Sequence, residues 1–305
     1  MTNREDEITQ WFASQAEALP QVLIGIGDDM AQAAVGGDAS VLVTTDMLLD
    51  GTHFDLAEAG AEAVGYKAMA ASLSDCAAMA SVPLCAFAAA ALPRGFGAEG
   101  LKQIYLGLRR AGRMFDCALA GGDITSWQGA GRLAICVTML SRPAEHCAPV
   151  RRNGARAGDV ICVTGELGGA IAGRHLSFVP RVHEALEITR LARVNAMMDI
   201  SDGLSTDLNR ICVQSGVGAR VEAAALPLSE AAGLSADPIV AALNDGEDFE
   251  LLFTLAREEY EKLMRGWTGT TRITRVGEII EGAGMTLVLP DGGMRALEPG
   301  GYDHL

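Results

Sequence analysis

The sequence predicts two domains of α/β or α+β type. Three observations carry this expectation. Strand-like and helix-like periods alternate through both halves of the chain. A stretch of different character separates the halves. And 305 residues suffice for one large or two ordinary domains. The separating stretch, 141–158, contains Pro143, Pro149, several arginines, Asn153 and Gly154. It divides the chain into residues 1–148 and 149–305.

Residues 41–47 (VLVTTDM) predict a strand ending in polar residues, and 61–80 an alanine-rich helix. The segment 76–92 is the most membrane-like in the chain. However, Asp75 precedes it, Pro83 interrupts it and alanine dominates it, so a buried helix, a turn at Pro83 and a buried strand over 84–92 are expected instead of a bilayer span. Leu101, Ile104, Tyr105, Leu108 and Phe115 recur at helical spacing over 98–116. CALAGGD (117–123) reads as a short strand entering a glycine turn, and alternation over 132–140 predicts another strand. In the second half, strands are expected at 159–165, 196–200, 249–255, 273–280 and 285–289, with helices over 203–213 and 257–265.

Lys and Arg number 24 against 39 Asp and Glu, a formal net charge of −15, which argues against nucleic acid as an electrostatic partner. Hydrophobic residues make up 49%, enough for a substantial core. The seven cysteines are odd in number and show no CxxC spacing. They fit small core residues in a reducing, cytoplasmic setting better than a disulfide framework or a zinc site. The start, MTNREDEITQWF, shows no signal-peptide pattern.

Six aspartates stand where a bare charge is costly: Asp29, Asp46, Asp75, Asp123, Asp199 and Asp202, at strand ends, in glycine turns or inside an apolar helix. With so few cationic side chains, divalent cations are the natural partners, and hard oxygen ligands favour Mg²⁺. GIGDDMA (25–31) sets two carboxylates after a glycine turn and also suits a plain surface turn. Thr44, Thr45 and Asp46 could bridge neighbouring metal ions, and His53 follows in a loop. Asp75 falls on an apolar helix face; a buried contact with Lys67 is the alternative to metal ligation. Gly121 and Gly122 before Asp123 would permit close approach of a ligand or simply form a tight turn. In DISDGLSTDL (199–208), Ser201 or Asp202 is expected to cap the next helix, which explains one of those residues but not both acids. NDGEDFELLF (244–253) carries three acids before a strand, and GGYDHL closes the sequence. No Walker A run, GxGxxG or GxSxG is present, so phosphate binding would rest on metals and turn amides.

Taken in order, GIGDD, TTDMLLDGTHF, YKAMAASLSDCAAM, GGDIT, RRNGARAGDVICVTGELG, MMDISDGLSTDL, NDGEDFELLF and GYDHL resemble the thiamine-monophosphate kinases of the aminoimidazole ribonucleotide synthetase superfamily, from about Gly25 onward. The resemblance implies an N-terminal mixed-sheet domain that pairs with a second copy into a dimeric β-barrel, a C-terminal α/β/α sandwich, and ATP in a cleft between domains near the dimer seam. It implies phosphoryl transfer from ATP to thiamine monophosphate with several magnesium ions, and no covalent or general-base residue. Asp29, Thr44, Thr45, Asp46, Asp75, Asp123, Asp199 and Asp202 would ligate the metals. Phe115, Gly122, Arg152 and Ser201 would meet ATP, and His53, Glu247 and Tyr302 the thiamine phosphate. Departures from the pattern are Ser72 for asparagine, Ser81 for a smaller residue, Ile124 for threonine, and a shortened segment over 166–196, which leaves the acceptor the least constrained feature. The competing reading keeps the fold but assigns an ATP-dependent synthetase or maturation enzyme acting on another acceptor.

Overall fold

A computed structural model describes residues 4–17 and 19–303. Its mixed α/β architecture contains two sheets. The first is built from β1 (Val22–Ile24), β2 (Ala31–Gly36), β3 (Ala39–Leu49), β4 (Ser81–Leu92), β5 (Ala118–Ser126) and β6 (Ala134–Pro143), in the order β1-β2-β3-β6-β4-β5. Every pairing is antiparallel except β4 with β5. Within one chain the sheet stays open, with β1 and β5 as edges. Before it comes α1 (Arg4–Gln15). The short α2 (Leu56–Ala59), capped by the Asp55 carboxylate, leads into α3 (Ala61–Ala78); α4 (Gly97–Arg113) packs on α3.

Helix α3 is apolar on all sides and correspondingly buried from Val64 to Ala78, with Asp75 as the one partly exposed position in that run. The chain turns at Met79–Ala80, where Ala80 takes φ 49°, and not at Pro83. Pro83 lies inside β4. A register shift between Pro83 and Cys85 accommodates its missing N–H donor. The expected glycine turn after 117–123 is likewise replaced by continuous strand. β5 runs through Gly121 and Gly122 because it is an edge strand drawn close against β4, where a Cβ on Gly122 would fall 1.8 Å from the Ala88 carbonyl oxygen.

The second sheet contains β7 (Val160–Thr164), β8 (Ala196–Asp199), β9 (Gly218–Glu222), β10 (Leu251–Leu255), β11 (Ile273–Ile280), β12 (Met285–Val288) and β13 (Met294–Ala296), in the order β13-β12-β9-β11-β7-β10-β8. The expected half-buried alternation in β10 becomes burial at every position, since the strand lies between β7 and β8 with both faces covered. Leu251, Phe253 and Leu255 enter one core and Leu252 the other. The helices α5 (Val182–Leu191), α6 (Leu204–Ser215), α7 (Glu230–Gly233), α8 (Pro238–Asn244) and α9 (Arg257–Gly266) complete this half. Val182, Ala185 and Leu263 join the first core, and Leu204, Leu208 and Ile211 the second. The first core also contains Val64, Met69, Leu73, Ile135 and Met139, so apolar packing is continuous from one sheet to the other through α3. Among the described residues, no helix is long and apolar enough to cross a membrane.

Candidate active site

The carboxylates converge because four elements end, or face, in one direction. Alternation along β3 turns Thr44 and Asp46 toward α3, while Asp75 faces them from the helix. Asp29 sits in the bend before β2, and Asp199 ends β8. One oxygen each from Asp29, Asp75 and Asp199 lies within 4.8 Å of the others. Hydroxyls from neighbouring residues fix the side chains: Thr44 Oγ1 donates to Asp75 (2.5 Å), Ser72 Oγ to Asp46 (2.5 Å) and Ser74 Oγ to Asp199 (2.6 Å). Arg152 forks onto both oxygens of Asp29 at 2.8 and 3.1 Å, and Arg151 pairs with Asp28 at 2.8 Å.

One arginine does not neutralise this group. Burial pushes the Asp46 carboxyl up to about 6, with the Ser72 hydroxyl opposing and Asp29 adding to the shift. Burial and then Asp29 push Asp199 up to about 7, against Ser74 and Arg152. Asp75 is raised well above the carboxylate range by burial and by Asp46, Asp199 and Asp29 together. These are the signatures of like charges crowded out of water, and they mark a site built to receive compensating positive charge.

The loop after β8 has its own support. Neither Ser201 nor Asp202 caps α6; Gly203 occupies the N-cap with no side-chain bond. Instead Asp207, from the first turn, reaches back and accepts the amides of Ser201 and Asp202, each at 3.1 Å. A carboxylate on the first turn already meets the positive helix end, so the cap positions are released for the cleft. Arg210 binds Asp207 (2.8 Å), Asp202 (2.5 Å) and, from α1, Asp6 (2.9 Å). The C-terminal run docks on the same loop. Tyr302 N–H donates to Asp202 O at 3.0 Å, and Gly301 lies so close that a Cβ would fall 1.9 Å from that oxygen.

At the far end, Lys67 does not meet Asp75. Eight helical residues separate them by about 12 Å along the axis. Its ammonium binds Glu247 and the carbonyl of His53, both at 2.5 Å. The Leu49 N–H donates to His53 Nδ1 at 3.0 Å, so the neutral imidazole carries its proton on Nε2. The two ends bound a cleft of about 960 Å³ lined from both halves, with Asp29, Asp46, Arg152, Ser201, Glu247 and Tyr302 among its walls.

Four expected residues lie away from the cluster. The Thr45 hydroxyl is on the opposite face of β3, 3.0 Å from Thr138 and 3.3 Å from Cys136, because adjacent strand residues alternate. Gly122 and Asp123 lie exposed on edge strand β5, outside the cleft lining. Phe115 is buried in the core at 7% exposure, its ring 4.9 Å from that of His183, and it too lies outside the cleft lining. It follows α4 on the face that Leu108 and Ala111 turn inward. Ser74, Asp207 and Arg210 also support the site, although the sequence does not single them out. Only the i, i+3 spacing of Asp207 and Arg210 hinted at the last two.

Family models match both halves: AIR synthase related protein, N-terminal domain, over residues 27–142, and AIR synthase related protein, C-terminal domain, over 156–290. The thiamine-monophosphate kinase of Rhodopirellula baltica is 36% identical over 312 residues, covering 98% of this chain and 97% of that protein. The chain belongs to the thiamine-monophosphate kinase family. The family's Aquifex aeolicus member is 33% identical over 92% of both chains. A solved structure of AaThiL complexed with AMPPCP and TMP superimposes with a TM-score of 0.83 at 30% identity, covering 99% of this chain and 97% of that one. The thiamine-monophosphate kinase fold therefore extends over the whole described chain, both sheets included.

Proposed function

We propose that the chain transfers the γ-phosphoryl group of ATP to thiamine monophosphate, giving thiamine diphosphate and ADP. The convergence of Asp29, Asp75 and Asp199 at one end of a cleft shared by both halves carries this reading. The named relatives and the ligands of the matching AaThiL structure identify the two substrates. An acceptor phosphate is already anionic at neutral pH, so an oxygen of that phosphate can attack the γ-phosphorus without a strong general base; the obstacle is repulsion between anions. The crowded carboxylates fit magnesium: Asp29, Asp46, Asp75 and Asp199 would hold it with Thr44, and Asp202 would join them. Bound magnesium would neutralise phosphate charge in the transition state. Arg152 and Ser201 would orient ATP, and His53, Glu247 and Tyr302 the acceptor.

The same reading extends to assembly. The outer face of the first sheet exposes Met47, Leu49 and Phe87, which supports pairing with a second copy into a shared barrel. Thr45, Gly122 and Asp123, which lie outside the single-chain cluster, would serve ATP and metal in that paired state. We place the domain boundary at 148/149, between the two family matches, with the second half an α/β/α sandwich and the enzyme in the cytoplasm. The test is direct: incubate the chain with ATP, Mg²⁺ and thiamine monophosphate, then separate the products. Thiamine diphosphate and ADP in equal amounts are expected. ADP alone would move the assignment to another acceptor, and no ADP would remove it.

A further inference from the structure

We infer that Lys67 is a positioning residue for the acceptor: it holds the Glu247 carboxylate where thiamine monophosphate meets it, and it acts on acceptor binding through Glu247 and not on ATP. This rests on the kinase reading above.

Lys67 is among the largest of the fully buried side chains, at 0% exposure. An ammonium in that position needs acceptors. It finds two, from separate elements: Glu247 Oε2 on the loop between α8 and β10, and the His53 carbonyl on the loop after β3. An ammonium has three N–H donors, and Lys67 also lines the cleft.

The Glu247 loop is shaped to deliver this contact. Glu247 takes φ 55° and Phe249 φ 50°, left-handed values that cost a side-chain-bearing residue about 1–2 kcal/mol each. The backbone is held there by Glu247 N–H on Ser201 O (2.7 Å) and Phe249 N–H on Ile200 O (2.8 Å). Its two acidic neighbours provide a contrast. Asp248 and Glu250 have side chains only 1% and 3% exposed and pair with Arg174 and Arg181 inside the second half. Glu247 points the other way, crosses to α3, and keeps 20% of its side chain exposed at the cleft wall. A pair needed only for cohesion has no reason to stay open. One side of this carboxylate is fixed by the ammonium and the other remains for a ligand. A lysine suits the task because a compact charge fits where a planar guanidinium would not.

The experiment compares the wild type with Lys67→Met, Glu247→Gln and the double variant, measuring kcat and KM for both substrates. Lys67→Met is expected to raise KM for thiamine monophosphate about tenfold or more, while KM for ATP stays within about twofold. The double variant is expected to match Glu247→Gln alone, since the lysine acts through that carboxylate. Equal rises in both KM values, or losses that multiply in the double variant, would overturn the inference. Circular dichroism checks folding. If Lys67→Met alone does not fold, the double variant, which leaves no unpaired charge, decides the matter: kinetics worse than Glu247→Gln overturn it and matching kinetics support it. The wild type separates the two levels. An inactive wild type removes the kinase reading and this inference with it; an active wild type with an unchanged acceptor KM in Lys67→Met removes this inference alone.

Discussion

Asp46 shows how far a single residue can be read. Its place at the polar end of a strand was legible, because an acid after VLVTT has no ordinary reason to be there. The hydroxyl that fixes it was not, because Ser72 lies 26 positions away on a helix whose rotation against β3 only packing decides. The same holds for Ser74 and Asp199. Phe115 is ambiguous for the reverse reason: an aromatic at helical spacing suits a core or a nucleotide equally, and in the single chain it packs in the core. Asp46→Asn tests the metal assignment. Asparagine keeps an acceptor for Ser72 but removes the buried charge. kcat is expected to fall by about two to three decades, since charge stabilisation of the transition state is lost. Thermal stability without metal should stay level or rise, since a costly ionisation disappears. Steady-state kinetics and a melting curve on the same preparation check both; unchanged kcat would strip Asp46 of its proposed role.

At the scale of elements, long periodic segments were legible and boundaries were not. Helix α3 and strands β3, β7 and β11 stand close to their expected positions, because alanine-rich burial and β-branched runs are strong local signals. The departures cluster where a local signal competes with the sheet. Pro83 predicts a turn and meets a bulge, Gly121–Gly122 predict a turn and meet an edge strand, and Ser201–Asp202 predict a cap and meet Asp207. The last case supports a prediction. Asp207 is fully buried, holds two loop amides and pairs with Arg210. Asp207→Ala leaves the two loop amides without their acceptor, while Arg210 keeps Asp202 and Asp6, so unfolding free energy should fall by about 1–3 kcal/mol. The 199–202 loop should also loosen, raising KM for ATP. Urea denaturation measures the first effect and kinetics the second. Stability equal to wild type would mean that the loop is held by the docked Gly301–Tyr302 segment instead.

The whole molecule couples metal, pH and stability through its shared core. Two sheets were legible from alternation on both sides of 141–158. The continuity of one core across them was not, because it depends on α3 packing on both. That continuity places Asp75 against Asp199, one from each half, and the cost of their charge falls on the folded state as a whole. Asp46 and Asp199 are raised from 3.8 to about 6 and about 7. A carboxyl that binds its proton more tightly in the folded state favours folding while protonated. Its contribution is fully present below the unfolded pKa, near 4, and is lost as pH rises through 6 to 7. Metal-free protein should therefore lose stability, by a few kcal/mol in order of magnitude, between pH 5 and pH 8. Magnesium would replace those protons and bind best where they have left, so the gain in melting temperature on adding Mg²⁺ should be small at pH 5 and large at pH 8. Using the difference with and without metal cancels acids elsewhere whose titration runs the opposite way. The Asp75→Asn variant should show a smaller gain at pH 8, because a ligand is lost and the remaining carboxylates repel less. A magnesium gain independent of pH, or intact in Asp75→Asn, would mean that the ion binds away from this cluster.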